Sequence, residues 1–404
     1  MAQERPKRYL RQRKLIPIWL TCAIFFLFQP RFLYSGTTAS FMEIGAIAIM
    51  IACAAIYIKC IRIDLIGVFA FAYLAAMTLS CIINDGNPYF TLVTYGPLSA
   101  SLLLARATIP GYKKELLWSI VAVTGTYTFL NLAVLCLIPV GDIPLHPDDS
   151  NTFLSYRNSF CGFYFPAIGA SLLLDQESGK PCSPLSLALF ASALAQSAIS
   201  YSATSVFALA VFFVGICLIT SRRIRRYLNA CTFVGAYLVL FVGIVLLRFQ
   251  NLFSLTVESL GRDITFTGRT AIWDLAISLI DQDHLLLGYN GVTERILTLP
   301  TGGSVGTAHN ALLDVMLWGG LVALCLVGAI VLLASINLFK QRVDRSAAIL
   351  SIYIGVFLLM GIVEFLTCTA FFLFLGIASS WTQSDQKAGG RHACSKTCLH
   401  AKRS

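Results

Sequence analysis

Hydrophobic side chains fall along this chain in continuous runs of about 15 to 25 residues, separated by short polar stretches. Within the runs, polar and apolar residues do not alternate, as they would in a half-buried strand or a membrane barrel. Runs of this length and continuity predict helices able to cross a hydrocarbon layer. Where water is absent, every backbone N–H and C=O needs a partner inside the chain, and a helix supplies one within a single segment. The runs lie at 15–33, 41–58, 66–83, 90–105, 116–139, 160–174, 184–201, 204–220, 228–247, 309–338, 347–365 and 368–381, a count of about 12. Two tight pairs, around Ser202 and around Leu366, are each too long for one span and short for two.

The pattern predicts an all-α, polytopic transmembrane helix bundle. Nine spans fall within residues 1–247, a large loop with short amphipathic helices occupies 248–308, three spans fall within 309–381, and a tail follows at 382–404. Composition agrees. Hydrophobic residues make up 57% and charged residues 12%, about half the charged share of a soluble domain, so one water-soluble core could not hide this much apolar surface.

Charge supplies the expected orientation. Arg5, Lys7, Arg8, Arg11, Arg13 and Lys14 precede the first run. No small-residue cleavage site followed by a soluble domain appears, so the run reads as a retained span rather than a signal peptide. With the amino terminus in the cytoplasm, the cytoplasmic segments collect 24 of the 30 lysines and arginines, and every lysine is among them. This is the positive-inside bias, and it puts both termini in the cytoplasm. The net charge of +10 is then mostly a matter of topology and gives no reason to expect nucleic acid.

The cationic residues left outside are all arginines: Arg31, Arg157, Arg248, Arg262, Arg269 and Arg295. Guanidinium binds phosphate and carboxylate with a planar fork and keeps its charge at low dielectric. Arg248 and Arg295 read as partners of nearby acids. Arg269 and Arg157, beside membrane re-entry, read as anion ligands. Residues 268–287 predict an amphipathic helix, with Ile272, Leu275, Ala276, Leu279 and Ile280 on one stripe, Thr267 as a possible cap, and Arg269 in the first turn. A cation there gains nothing from the helix dipole, which invites a ligand explanation.

His309 stands at the mouth of an apolar run, where an imidazole could exchange a proton or simply cap the helix. His146 and His284 have less to recommend them. Glu43 and Glu364 lie near or inside spans, where acids are functional candidates, but both are close enough to the outer ends to reach water and rank below His309 and the arginines. Most cysteines fall inside apolar runs and do not read as a disulfide framework. The tail residues His392, Cys394, Cys398 and His400 match no common zinc spacing, so neither a metal nor a cofactor is expected.

Three stretches carry a family resemblance. They are Gly268-Arg269-Thr270-Ala271-Ile272-Trp273, Leu286-Leu287-Gly288-Tyr289, and Ala308-His309-Asn310 followed by Gly319-Gly320-Leu321-Val322. In order, spacing and sidedness they resemble the O-antigen ligase and polymerase superfamily of membrane glycosyltransferases. Phe153 to Ser159 with Phe165-Pro166-Ala167 looks like that family's arginine-bearing start of the sixth span. The chain departs from the pattern at Ala323 and Asn290, where the family has glycine, and at Ser202-Ala203-Thr204-Ser205, where many members carry an arginine.

The resemblance implies a metal-independent transfer of a polyprenyl-diphosphate-linked glycan to an acceptor hydroxyl on the outer face of the bacterial cytoplasmic membrane. The expected catalytic residues are His309 and Arg269, with Arg157 and Arg262 binding the diphosphate. The expected partners are the lipid-linked glycan donor, a glycan or lipid-linked acceptor, the membrane, and a chain-length regulator. The product would be a polymerised repeat unit or a ligated O-antigen. The alternative is a transporter or lipid-linked oligosaccharide flippase, which would place paired charges or broken helices at mid-bilayer and show two related halves. No internal repeat is visible.

Overall fold

The computed structural model describes residues 4–34, 36–60, 63–137, 153–249, 268–280, 283–292, 296–298, 304–364 and 368–382. These residues are almost entirely helical. The chain opens with α1 (Glu4–Leu27), α2 (Ala39–Cys60), α3 (Leu65–Ile83) and α4 (Pro88–Ile120). A π-helical turn, Val121–Gly125, leads into α5 (Thr126–Leu137). Then come α6 (Cys161–Glu177), α7 (Pro184–Ile199), α8 (Ala203–Leu218), the short α9 (Arg222–Arg225) and α10 (Ala230–Leu240). The later part holds α11 (Arg269–Ser278), α12 (Ala311–Lys340), α13 (Arg345–Met360) and α14 (Thr369–Ser380). Two short strands, β1 (Leu297–Thr298) and β2 (Ser304–Val305), pair antiparallel between α11 and α12.

The all-α expectation holds. Four helical runs are long and apolar enough to cross a membrane: Gly36–Lys59, Leu65–Ile83, Pro88–Leu137 and Ala311–Lys340. Six shorter apolar helices of 10–17 residues lie on other expected spans. Polar residues between the runs set the helix starts. Asp64, Ser183, Ser202, Asn229, Asn310 and Asp344 each accept a backbone N–H from the first turn of the helix they precede, satisfying donors that a helix leaves orphaned.

Two of the expected runs, 90–105 and 116–139, are joined into one helical segment that turns at Tyr112 (φ −136°, ψ 38°), just after Pro110 and Gly111. Before the turn, α4 runs antiparallel to α3: the Ser99 hydroxyl bonds the Ala70 carbonyl, and Arg106 pairs with Asp64. After it, the chain runs parallel to α1, with Thr21 against Ser119 at 3.2 Å and the Phe25 ring 6.3 Å from that of Tyr127. Helices α13 and α14 are buried on nearly every face, which fits their lack of a polar stripe. Tyr353 and Phe374 stack at 3.8 Å in their shared core.

A second break shapes the site end of the bundle. Gly320, inside α12, adopts φ +64° and ψ −168°, and a side chain there would collide with the backbone of Leu286 and Leu287. The break frees backbone groups that must be paired in an apolar setting. Residues 285–290 pair them. Tyr289 N–H bonds Leu317 C=O at 2.8 Å, and Asn290 N–H bonds Trp318 C=O at 3.0 Å. In the other direction, Leu321 N–H reaches Leu285 C=O at 2.8 Å and Val322 N–H reaches Leu286 C=O at 3.1 Å. Gly288 (φ +69°) fits because a Cβ would lie 2.6 Å from the Leu317 oxygen. Asn84, at the end of α3, closes the clasp by donating to the Gly288 carbonyl at 3.0 Å. The Leu-Leu-Gly-Tyr and Gly-Gly stretches singled out in the sequence are thus two halves of one joint.

The opposite end is held by charge. Lys113 pairs with Glu177 at 2.5 Å and lies 4.6 Å over the Trp381 ring. Burial pushes the Asp64 carboxyl up, but the Gly67 N–H, the Tyr57 hydroxyl and the Arg106 guanidinium outweigh it and hold the group below its ordinary value. A depressed carboxylate stabilises the fold fully above the unfolded pKa, about 3.9, and that stabilisation is lost as pH falls through the folded value. Acid titration of the detergent-solubilised protein should therefore lower its melting temperature, and the drop should be smaller in Asp64→Asn; identical acid profiles would remove this role. Gly320→Val should destabilise the protein by about 1–3 kcal/mol through backbone strain and expose residues 285–290 to proteolysis. A wild-type melting temperature with a wild-type cleavage pattern would show that the clasp does not depend on this glycine.

Candidate functional site

His309 sits in a turn fixed on both sides. Asn310, in extended conformation, caps α12 by accepting the Leu313 N–H at 3.0 Å. Asp314 returns a carboxylate to the turn, accepting the Ala308 N–H at 2.7 Å and the Asn310 N–H at 3.3 Å. The Asn310 amide donates to the Ile362 carbonyl at 2.9 Å, and Ala311 N–H to the Gly361 carbonyl at 2.7 Å. Held this way, His309 takes a left-handed backbone, φ +49°, which costs a non-glycine residue about 1–3 kcal/mol. The cap is therefore Asn310, and the imidazole is left for other contacts.

Those contacts converge on Glu364, in the turn after α13. Arg269 Nη2 donates to Glu364 Oε1 at 2.5 Å, and His309 Nδ1 lies 3.6 Å from Glu364 Oε2. Asn158 Nδ2 donates to Oε1 at 2.8 Å, and Ser202 Oγ in turn donates to Asn158 Oδ1 at 2.9 Å. Segments about 200 residues apart in sequence thus meet on one carboxylate. The side chain of Glu364 is 11% exposed and that of Arg269 17%, against 32% for His309, so of these three the imidazole is the most open.

Arg269 reaches this position as the first residue of α11. The N-cap is Gly268, with φ +82°; Thr267, the expected cap, lies outside the described residues. The helix also stops at Ser278 rather than continuing to 287, because the chain turns at Leu279 and then supplies the clasp. Ile272, Trp273 and Ala276 are buried, and Leu275 and Leu279 pack against the core, as the apolar stripe requires.

The other expected residues divide. Arg157 lies 6.0 Å from its neighbour Tyr156 in a cation–π contact, and it is Asn158 that reaches Glu364. Arg262 and Arg295 lie outside the described residues, as do His146 and the histidines and cysteines of the tail. Arg248 pairs with Asp274, donates to the Thr270 carbonyl at 3.2 Å and covers Trp273 at 5.2 Å, the structural part expected of it. His284 stacks on Tyr289 at 3.8 Å. Glu43 accepts the Tyr34 hydroxyl at 2.7 Å and that of Tyr89 as well, so its charge is already hydrogen-bonded. Among the described residues no three metal-ligating side chains come together, and the described cysteines are free thiols.

Glu364, Asn158 and Ser202 are the members that sequence reasoning did not single out for the site. An acid close to the membrane was the available signal for Glu364; the two neutral residues gave none.

Residues 185–328 match the family described as O-antigen ligase. The chain carries a domain of the O-antigen ligase superfamily. No curated protein and no solved structure matches it. The O-antigen ligase domain contains Arg269, His309 and both halves of the clasp, whereas Asn158 and Glu364 come from the flanking regions. The apolar helices and this match together support an integral membrane protein whose residues 185–328 are similar to the O-antigen ligase family.

Asn310→Ala removes both the α12 cap and the tie to Ile362. Loss of the cap alone costs about 1 kcal/mol, so a lowered melting temperature in detergent is expected, whereas Arg157→Ala should leave it nearly unchanged. The reverse order would contradict this division of labour.

Proposed function

We propose that the protein is a membrane glycosyltransferase that moves a glycan from a polyprenyl diphosphate to an acceptor hydroxyl, as a repeat-unit polymerase or O-antigen ligase. The observation that carries the reading is the convergence of Arg269 and His309 on Glu364. In this reading the bundle has about 12 spans, both termini face the cytoplasm, and the site opens at the outer face of the cytoplasmic membrane.

The chemistry follows from the groups present. The acceptor oxygen forms a bond to the anomeric carbon of the donor, and the bond from that carbon to the phosphate oxygen breaks. The diphosphate leaves with the bonding electrons, and the acceptor proton passes to His309. A guanidinium stabilises charge developing on the leaving phosphate without any proton transfer of its own. With His309 Nδ1 turned toward Glu364, Nε2 is the nitrogen left for the acceptor hydroxyl. The 3.6 Å separation is longer than a hydrogen bond, and contacts of this kind tighten in the substrate complex. Glu364 has two tasks: it neutralises Arg269 while the site is empty, and it orients the imidazole. Arg157 and Arg262 remain the proposed second contacts to the diphosphate.

In cells relying on variants present at wild-type membrane levels, His309→Ala and Arg269→Ala should lose surface glycan and accumulate the lipid-linked donor. Removing a general base costs about 10²–10⁴-fold in rate. Arg269→Lys should also be impaired, because an ammonium cannot reproduce the fork. Full glycan on both alanine variants would end the proposal. Glu364 is read as a positioning residue, so its effect should run through His309: Glu364→Gln should slow transfer in the wild-type background and add little to His309→Ala. Equal losses in the two backgrounds, with a lowered melting temperature, would instead make Glu364 purely structural.

A further inference from the structure

A cavity of about 370 Å³ opens between the end of α1, the first part of α4, the start of α6 and the start of α14. Its polar lining includes Gln29, Arg31, Tyr34, Thr94 and Ser159, with Phe28 and Phe163 among the apolar walls. Another cavity near the site, a groove of about 520 Å³ between α10 and α12, is lined by apolar side chains with Tyr237 among them. The polar pocket reaches Ser159, the sequence neighbour of Asn158, whose amide is bonded to Glu364 at 2.8 Å.

Gly162, the second residue of α6, also lines this pocket. Glycine inside a helix costs about 0.5–1 kcal/mol relative to alanine, and such a residue is commonly kept for close packing. Here a Cβ would meet nothing within 4 Å, so packing does not account for it. A side chain at this position of the pocket wall would therefore start in open space.

Hydroxyls, an amide and a guanidinium interspersed with aromatic faces make a surface suited to a sugar, whose hydroxyls both donate and accept and whose C–H faces pack on rings; Gln29 and Tyr34 present acceptor oxygens here, their protons being given to the Phe26 and Met42 carbonyls and to Glu43. A volume of this order falls in the range of small-molecule sites. We propose that the pocket is a saccharide subsite, holding the sugar that bears the acceptor hydroxyl on the Asn158 side of Glu364. The assignment rests on the transferase reading above. The sugar could also belong to the donor glycan, and the test separates the two sources.

Gly162 gives a graded test that spares the catalytic group. Gly162→Ala, →Leu and →Trp add increasing volume at the pocket wall, from a Cβ that itself meets nothing within 4 Å. The assay uses membrane vesicles, the polyprenyl-diphosphate glycan extracted from the parent cells as donor, and the same glycan released from its lipid as acceptor. KM for the released glycan should rise with side-chain volume, at least tenfold in Gly162→Trp, while KM for the donor and the melting temperature stay near wild type. An unchanged acceptor KM in Gly162→Trp overturns the proposal, as does wild-type protein that transfers to no saccharide hydroxyl. A rise confined to the donor KM would move the subsite to the donor glycan. Failure of the underlying reading shows up separately, as full activity in His309→Ala.

Discussion

Glu364 follows the last turn of α13 with its carboxylate nearly buried, and a charge so placed costs several kcal/mol unless partners replace the water it has lost. Those partners cannot come from its own helix. They arrive as a guanidinium from α11, an amide from the turn before α6, and an imidazole from the turn before α12. The need to compensate one carboxylate therefore dictates where three otherwise unrelated segments end. It also fixes the Arg269 guanidinium against the carboxylate, in the position that the proposed function asks of it.

The helical character of the chain was legible because an apolar setting leaves the backbone few other ways to satisfy its polar groups. The apolar stripe of α11 was legible for a similar reason: Ile272, Leu275, Ala276 and Leu279 have the spacing of one buried face, and they pack inward. Arg269 and His309 stood out from their expected sidedness and setting, and each approaches Glu364. Three things were not legible. The turn at Tyr112 and the break at Gly320 depend on what packs across them, and the clasp at Gly320 is drawn from residues 285–290. That contact also explains why α11 ends at Ser278 rather than near 287. The importance of Glu364 was underrated, because closeness to water along the sequence says nothing of the partners that cover a side chain in three dimensions. Asn158 and Ser202 lay in stretches singled out for an arginine present or missing, and as neutral polar residues beside apolar runs, which are commonly caps, neither was read for itself; Ser202 is indeed also the cap of α8.

The two ends of the bundle illustrate different uses of charge. At one, Lys113 with Glu177 and Arg106 with Asp64 tie neighbouring helices together. At the other, Arg248 with Asp274 steadies α11, and the pair beside it, Arg269 with Glu364, faces the imidazole. Similar ion pairs thus serve as a brace in one place and, on the proposed reading, as part of a site in another; what distinguishes them is the residue standing next to the pair.

The interruption of α12 changes how its length should be counted. As a single rod, Ala311–Lys340 would be too long for a lipid bilayer and would have to tilt. Divided at Gly320, only Leu321–Lys340 needs to cross, and at 1.5 Å per residue that segment measures about 30 Å, the thickness of a typical hydrocarbon core. On the proposed reading, with Leu321–Lys340 filling the hydrocarbon, the stretch from Ala311 to Gly319 falls at the level of the lipid headgroups. That is the depth at which a lipid carries its phosphates, and it is where the turn bearing the imidazole is held.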